Sequence, residues 1–266
     1  VHISAERIRD ELVKILLSHR PSAGIEIMRE SNILTAILPE LSECAGVKQP
    51  ELHAFDVYYH SLYSCDHAPA DKLVIRLAAL LHDIGKPSCV TQTDSSETRF
   101  YGHEKKGAEM SQKILERLRF SNREIDDVSH LIQEHMFQYE PAWNDAAVRR
   151  FIRRVGQENI PDLIKLRMAD QAGMQGRIID SPLLAQLQGR IESVLVSENA
   201  LSLKDLEVDG LMLMKELGVK PSPAIGTILD FLLESVLEDP ALNSQGKLLE
   251  IAKNFYKTRI NINGVP

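Results

Sequence analysis

The sequence predicts an all-α protein, on three observations. Leu, Ile, Ala, Glu and Lys dominate, and aromatic residues make up only 5% of the chain, a composition that favours helix over sheet. Apolar residues recur with helical periodicity along almost the whole sequence. The 266 residues are 44% hydrophobic and 26% charged, so the chain is globular and long enough for one large domain or two small ones.

The helices follow one another with short connections. The first pattern begins at Ser4, a good N-cap, and ends near Ser18. The next apolar stretch predicts two short helices that are broken near Ser31 and stopped before Pro39. Further helices are predicted, in chain order, over 54–66, 72–84, 103–119, 121–136, 144–155, 159–174 and 181–197.

Two stretches interrupt this pattern. Residues 87–101 are rich in Thr and Ser and predict a loop or a small β-hairpin. Residues 197–210 indicate a domain boundary, and the remaining apolar patterns predict a small helical bundle at the C-terminal end.

Charge and cysteine content restrict the classes of function. The net charge is −7, which counts against strong autonomous binding of nucleic acid. Three cysteines form no pairwise framework and suit a reducing, cytoplasmic location. No apolar run approaches the roughly 18 residues that a membrane span needs, so we expect no membrane contact. Because the chain starts at Val1 rather than Met, we expect it to be a fragment of a longer protein.

The stretch LAALLHDIGKP raises a chemical question, because an apolar helix ends on His82 and Asp83. If Gly85 and Pro87 end the helix, Asp83 lies in its last turn, where the helix dipole disfavours an anion by about 0.3–1 kcal/mol. A divalent cation would reverse that local field, and imidazole with carboxylate suits Mn, Fe, Co, Ni or Zn. The alternative is a core histidine bonded to a backbone carbonyl, with Asp83 capping a neighbouring helix.

Other histidines and an aspartate also lie on largely apolar helix faces. Their order in the chain is His60, His82-Asp83, His103, His135 and Asp170. This order resembles the HD superfamily of metal-dependent phosphohydrolases. The resemblance implies that one ion is bound by His60, His82, Asp83 and Asp170, and a second ion by His103 and His135 with Asp83 bridging. The cofactor would be one or two divalent ions, Mn, Fe, Co, Ni, Zn or Mg.

A second resemblance covers nearly the whole chain. The segments RFYGHEKKGA, ILERLRFSNREI and GVKPSPAIGTILDFLLESVLEDPALN are similar to the bacterial class II tRNA nucleotidyltransferases and poly(A) polymerases. The resemblance implies a helical neck-like segment at 1–50, an HD domain at 51–198 and a helical tail at 199–266. The nucleotidyltransferase head of that family, with its Gly-Ser nucleotide loop, has no counterpart in this sequence.

These patterns predict metal-assisted hydrolysis of a phosphoester. Asp83 is the expected central ligand, and Lys86 would neutralise developing phosphoryl charge, although a solvated helix-end lysine is an equally simple interpretation. The resemblance implies nucleotide or RNA-end phosphates as substrates, such as 2′,3′-cyclic phosphates. A different hypothesis is a non-catalytic tRNA-binding body and tail, and a third is a structural domain with a vestigial site.

Arg149, Arg150 and Arg153 form, together with Arg154, one basic edge of a predicted helix. They are candidates for binding substrate phosphate, or for contacting RNA phosphates. A salt-bridged, solvated helix face is the alternative.

Overall fold

The protein is all-α, as the sequence predicts. The computed structural model describes residues 3–49, 54–92, 98–176, 181–197 and 202–260. The α-helices of these ranges, in chain order, are α1 (Ala5–Leu16), α2 (Pro21–Glu30), α3 (Ile33–Ile37), α4 (Pro39–Ser42), α5 (Val57–His67), α6 (Leu73–Leu81), α7 (His103–Arg117), α8 (Asn122–Glu134), α9 (Asp145–Val155), α10 (Ile160–Gln175), α11 (Pro182–Ser197), α12 (Gly210–Leu217), α13 (Pro223–Glu238) and α14 (Gln245–Phe255).

The predicted insert is a β-hairpin. Its strands are β1 (Thr91–Gln92) and β2 (Thr98–Arg99), and they pair antiparallel with Thr91 opposite Arg99. Residues 93–97 between the strands lie outside the described residues, as do residues 198–201 of the predicted domain boundary. In the described part of the chain, no helix has the length and apolar character needed to cross a lipid bilayer.

The chain divides into two compact units. One comprises residues 1–138 and 158–181, and the other comprises residues 139–157 and 182–266. This division into two units does not test the boundaries of the neck, HD domain and tail expected from the sequence, and those boundaries stay a prediction.

The first unit is built around α5, α6, α8 and α10. Helix α6 is buried along its whole length except at its first two residues, and it packs against α5, α8 and α10. Its buried residues Ile75, Leu77 and Leu80 supply much of the core. Burying apolar surface at about 25 cal/mol per Å² is the main stabilising contribution to such a bundle.

Close helix packing in this unit depends on glycine. A Cβ placed on Gly173 of α10 would lie 2.1 Å from Ser64 Oγ and 3.0 Å from the carbonyl oxygen of His60, both on α5. A Cβ on Gly85 would lie 2.4 Å from the carbonyl oxygen of His103. Only glycine permits either approach, so these positions bring α5 against α10 and the turn after α6 against the start of α7.

Two predicted helix bounds are wrong by three residues, since α5 begins at Val57 rather than near residue 54 and α6 ends before residue 84. Helix α6 ends at Leu81, and residues 82–85 form a turn that leads into a 3₁₀-helix at Lys86–Cys89. Gly85 has right-handed helical angles, with φ −75° and ψ −19°, rather than the left-handed angles of a glycine C-cap. Asp83 therefore lies just beyond the last helical turn, and the turn is set by packing against α7.

The second unit has its own apolar core, formed by α12, α13 and α14. Leu213, Ile228, Leu232 and Leu248 are fully buried there. The Phe231 ring stacks on Phe255 of α14, with ring centroids 4.1 Å apart. Helix α12 begins at an Asp209 N-cap, whose carboxylate accepts the backbone N–H of Met212.

Candidate metal centre

The first unit brings all six predicted ligand residues together. His60 lies within α5 and Asp170 within α10, while His103 is the first residue of α7. His82 and His135 are the C-cap residues of α6 and α8. All of these side chains, and that of Asp83, are buried.

Three of the imidazoles are oriented by the backbone. Nδ1 of His82 lies 2.9 Å from the carbonyl oxygen of Ala79, and Nδ1 of His135 lies 2.6 Å from that of Ile132. His103 makes the same contact to the carbonyl of the residue three positions earlier, at 2.7 Å. A carbonyl only accepts, so each Nδ1 carries a proton, and in the neutral form of each ring Nε2 presents a lone pair to the interior.

The carboxylate of Asp83 lies between two pairs of imidazoles. Its Oδ2 is 3.2 Å from Nε2 of His82 and 3.4 Å from Nε2 of His60. Its Oδ1 is 3.3 Å from Nε2 of His103 and 3.9 Å from Nε2 of His135. Each carboxylate oxygen therefore faces one pair, which is the arrangement that a bridging ligand requires.

Asp170 adds a second carboxylate on the side of His60 and His82. Its Oδ1 lies 3.1 Å from Nε2 of His60 and 3.7 Å from Nε2 of His82. Its Oδ2 accepts a hydrogen bond of 2.7 Å from Nη1 of Arg167, three residues earlier on α10. Arg167 was not among the predicted site residues, although its i, i+3 spacing to Asp170 on one helix was a usable signal.

Lys86 is buried beside Asp83. Its Nζ donates to Asp83 Oδ2 at 2.7 Å and to Gln49 Oε1 at 2.6 Å, and it lies 5.5 Å from the centroid of the Phe100 ring. The alternative of a solvated helix-end lysine is therefore wrong. Gln49 was missed because it is distant in sequence and carries no recognisable pattern.

The charge states follow from burial and from these neighbours. Burial raises the pKa of Asp83, but His82, Lys86 and His103 outweigh burial and hold it well below its usual range. Burial also opposes ionisation of Asp170, and His60, His82 and Arg167 lower its pKa. Both carboxylates are therefore anionic at neutral pH.

The two imidazoles with resolved shifts respond differently. Burial, reinforced by His82, lowers the pKa of His135 to about 3, so this ring is neutral and able to bind a cation. Burial lowers the pKa of His82 as well, but the adjacent Asp83 carboxylate outweighs it and the net shift is upward.

The residues present fit divalent cations. Two groups of three residues each offer ligand atoms that all lie within 4.8 Å of one another. The first group is His60, His82 and Asp83, and the second is Asp83, His103 and His135. Within the described residues, Asp83 Oδ1, His103 Nε2 and His135 Nε2 are buried and have no hydrogen-bond partner. Buried polar atoms are nearly always satisfied, and a cation bound among them would remove the cost of leaving them unpaired.

The arginines of α9 make contacts within the second unit. Arg149 is buried and donates to the backbone carbonyls of Leu237 and Glu238 at the end of α13. Arg150 and Arg153 form ion pairs with Glu234, and further pairs with Glu238 and Asp230. These ion pairs are what the alternative of a salt-bridged helix face predicts for α9. A role of these arginines in binding substrate phosphate stays a prediction.

Two regions of the chain match models of known protein families. Residues 52–173 match the family model of the HD domain, which characterises a superfamily of metal-dependent phosphohydrolases. Residues 1–44 match a model described as the probable RNA and SrmB-binding site of polymerase A.

Two tRNA nucleotidyltransferases are similar to most of this chain. The chain is 34% identical over 242 residues to the A-adding tRNA nucleotidyltransferase of Deinococcus radiodurans, covering 86% of this chain and 54% of that protein. It is 34% identical over 240 residues to the CC-adding tRNA nucleotidyltransferase of Thermus thermophilus, covering 88% of this chain and 53% of that protein. The chain carries an HD domain and an RNA-binding region, and over most of its length it is similar to tRNA nucleotidyltransferases. It spans about half the length of these two relatives.

Proposed function

We propose that this chain is a metal-dependent phosphohydrolase that acts on nucleotide or RNA-end phosphates, such as 2′,3′-cyclic phosphates. The observation that carries the proposal is the position of Asp83 between two pairs of imidazoles. A purely structural helical bundle does not require a carboxylate and four imidazoles that are buried together with unsatisfied atoms among them.

The two halves of the site would hold two ions. His60, His82, Asp83 and Asp170 would bind one, and His103 and His135 would bind the other, with Asp83 shared. Divalent ions bound there would activate water and stabilise negative charge on a phosphoryl group. Mn, Fe, Co, Ni and Zn suit this mixture of imidazole and carboxylate, and Mg is the further candidate.

The protein's own contribution is rigidity and charge. The Nδ1 contacts to backbone carbonyls fix three imidazoles at helix ends, so little reorganisation is needed when ligands bind. Lys86 compensates one of the two carboxylate charges. We propose that it also limits the charge that develops during phosphoester cleavage.

The substrate class is inferred from the family. Relatives of this chain are tRNA nucleotidyltransferases, and residues 1–44 match an RNA-binding region. A phosphate at an RNA end is therefore the substrate class that we propose, with tRNA as a possible partner and the cytoplasm as the location. The net charge of −7 favours a small phosphate substrate over extended contact with an RNA backbone.

The second candidate function is that of an RNA-binding body and tail without hydrolytic activity. The match of residues 1–44 to an RNA-binding region favours it. Salt-dependent binding of tRNA by a chain that contains no metal would support this candidate over the phosphohydrolase.

Hydrolysis is tested with purified chain and added Mn, Co, Ni or Mg. The substrates are 2′,3′-cyclic AMP and a generic chromogenic phosphodiester. We expect metal-dependent turnover that is lost in the double variant His82→Ala, Asp83→Ala. Full activity of that variant would refute the proposal.

A further inference from the structure

Two cations contact the two carboxylates of the candidate metal centre, and they differ in exposure. The Lys86 side chain is 10% exposed and donates to both Asp83 and Gln49. The Arg167 side chain is 26% exposed and donates to Asp170 alone among the described residues. Of these two cations, Arg167 is therefore the one that is more accessible to solvent and to a ligand that arrives from solvent.

The guanidinium of Arg167 retains donors that the fold does not use. A guanidinium carries five N–H groups, and the hydrogen bond to Asp170 Oδ2 engages one of them. Asp170 in turn directs its other oxygen towards His60 and His82. The carboxylate thus ties the guanidinium to the outer edge of the ligand cluster and restricts its conformations.

A planar guanidinium fixed in this way suits a phosphate group. Its remaining N–H groups can pair with two phosphoryl oxygens, and charge-assisted bonds of this kind are roughly twice as strong as neutral ones. We infer that Arg167 binds the phosphoryl oxygens of the substrate at the solvent side of Asp170. This inference rests on the proposed function, because it gives the same site its anion-binding residue.

A purely structural role for Arg167 makes a different prediction. If Arg167 only positioned Asp170, its removal would weaken metal binding, because Asp170 would no longer be oriented towards His60 and His82. If it binds phosphate, its removal weakens phosphate binding while the ligand cluster keeps its affinity for metal.

The test is calorimetric titration of inorganic phosphate into the full 266-residue chain, with and without added Mn²⁺. Arg167→Gln should bind phosphate about 10- to 100-fold more weakly than the wild type, and Arg167→Lys should fall between them. The affinity for Mn²⁺, titrated separately, should change by no more than about threefold. The KM for a hydrolysed phosphoester should rise with the loss of phosphate affinity.

Lys165→Gln is the matched control. Lys165 lies on the same helix and forms an i, i+3 ion pair with Asp162, at 2.9 Å. The variant removes one positive charge from α10 without touching Asp170, and its phosphate affinity should equal that of the wild type.

Four results would overturn the inference. These are unchanged phosphate affinity in Arg167→Gln, a loss of Mn²⁺ affinity in Arg167→Gln as large as its loss of phosphate affinity, an equal loss of phosphate affinity in Lys165→Gln, and no detectable phosphate binding by the wild-type chain. Arg167-dependent phosphate binding by a chain that hydrolyses no phosphoester would support the inference and refute the proposed function.

Discussion

Oδ1 of Asp83 lies 3.3 Å from Nε2 of His103, and both atoms are buried without a hydrogen-bond partner among the described residues. When the His103 ring is neutral and its Nδ1 proton is donated to the carbonyl of Phe100, its Nε2 presents a lone pair towards an anionic oxygen. In that form two acceptors face each other at close range, and a cation bound between them would remove the unfavourable contact.

Metal addition should therefore stabilise the folded chain. At a free metal concentration about 100-fold above Kd, the free energy of unfolding should rise by about 2.7 kcal/mol. For a unit of this size we expect the melting temperature to rise by several degrees. Differential scanning fluorimetry with and without Mn²⁺ or Ni²⁺ measures the shift, and EDTA should reverse it. His103→Ala should reduce the shift, and a shift that is the same in the wild type and in this variant would contradict the assignment.

Gly173→Ala should destabilise the first unit. The added methyl group would meet Ser64 Oγ at 2.1 Å and Ser64 N at 2.8 Å, so α5 and α10 must separate. We expect a loss of about 1–3 kcal/mol in the free energy of unfolding, measured by urea denaturation. Gly189→Ala on α11 is the control, because no neighbouring atom of the described residues lies within 4 Å of its Cβ position, and it should be neutral or stabilising by up to about 1 kcal/mol. Equal effects of the two substitutions would show that the close approach is unimportant.

Arg76→Met should be among the most damaging substitutions outside the site. The buried Arg76 donates to four backbone carbonyls, those of Leu16, Ser18, Ala68 and Pro69. Leaving these acceptors unsatisfied should cost about 3 kcal/mol or more.

Arg123→Met provides the comparison for this substitution. The Arg123 side chain is 91% exposed and lies 3.8 Å from Asp127, so its loss should change stability by no more than about 0.5 kcal/mol. Chemical denaturation of both variants tests the difference. A small effect of Arg76→Met would mean that its carbonyl partners find water.

The ion pair between Glu40 and Arg117 should give a measurable pH dependence. Burial raises the pKa of Glu40, but the bidentate contact with Arg117, at 2.7 and 2.9 Å, outweighs burial and lowers it from 4.5. A carboxyl with a lowered folded-state pKa contributes stability above its unfolded pKa and loses that contribution as pH falls through the folded value.

Arg117→Gln should therefore be less stable than the wild type at pH 7. The difference should shrink as the pH is lowered below about 4.5, and urea denaturation across this range measures it. In a Glu40→Gln background, Arg117→Gln should show no such dependence. A difference that persisted unchanged at low pH would assign the effect to the hydrogen bond from Arg117 to the carbonyl of Ile37 instead.

Much of the fold was predictable, because helical periodicity is a local pattern, and the members of the candidate site were predicted because the order of histidines and aspartates resembles that of the HD superfamily. The end of α6 was not, because it is determined by the approach of His103 to Gly85, 18 positions apart in the sequence. The partners of Lys86 and of Arg150 were also hidden, since Gln49 and Glu234 are distant in the chain and ordinary in composition. Local pattern thus predicts the helices and family resemblance predicts the candidate site residues, while long-range packing decides which charges are already paired.

We propose that Asp83 would be shared by two cations, and elemental analysis of the purified chain after metal loading and gel filtration measures how many ions it retains. The wild type should retain up to two ions per chain, His103→Ala should retain one, and Asp83→Ala should retain fewer than His103→Ala. A wild-type chain that keeps no metal, or an Asp83→Ala variant that keeps as much as the wild type, would contradict the claim.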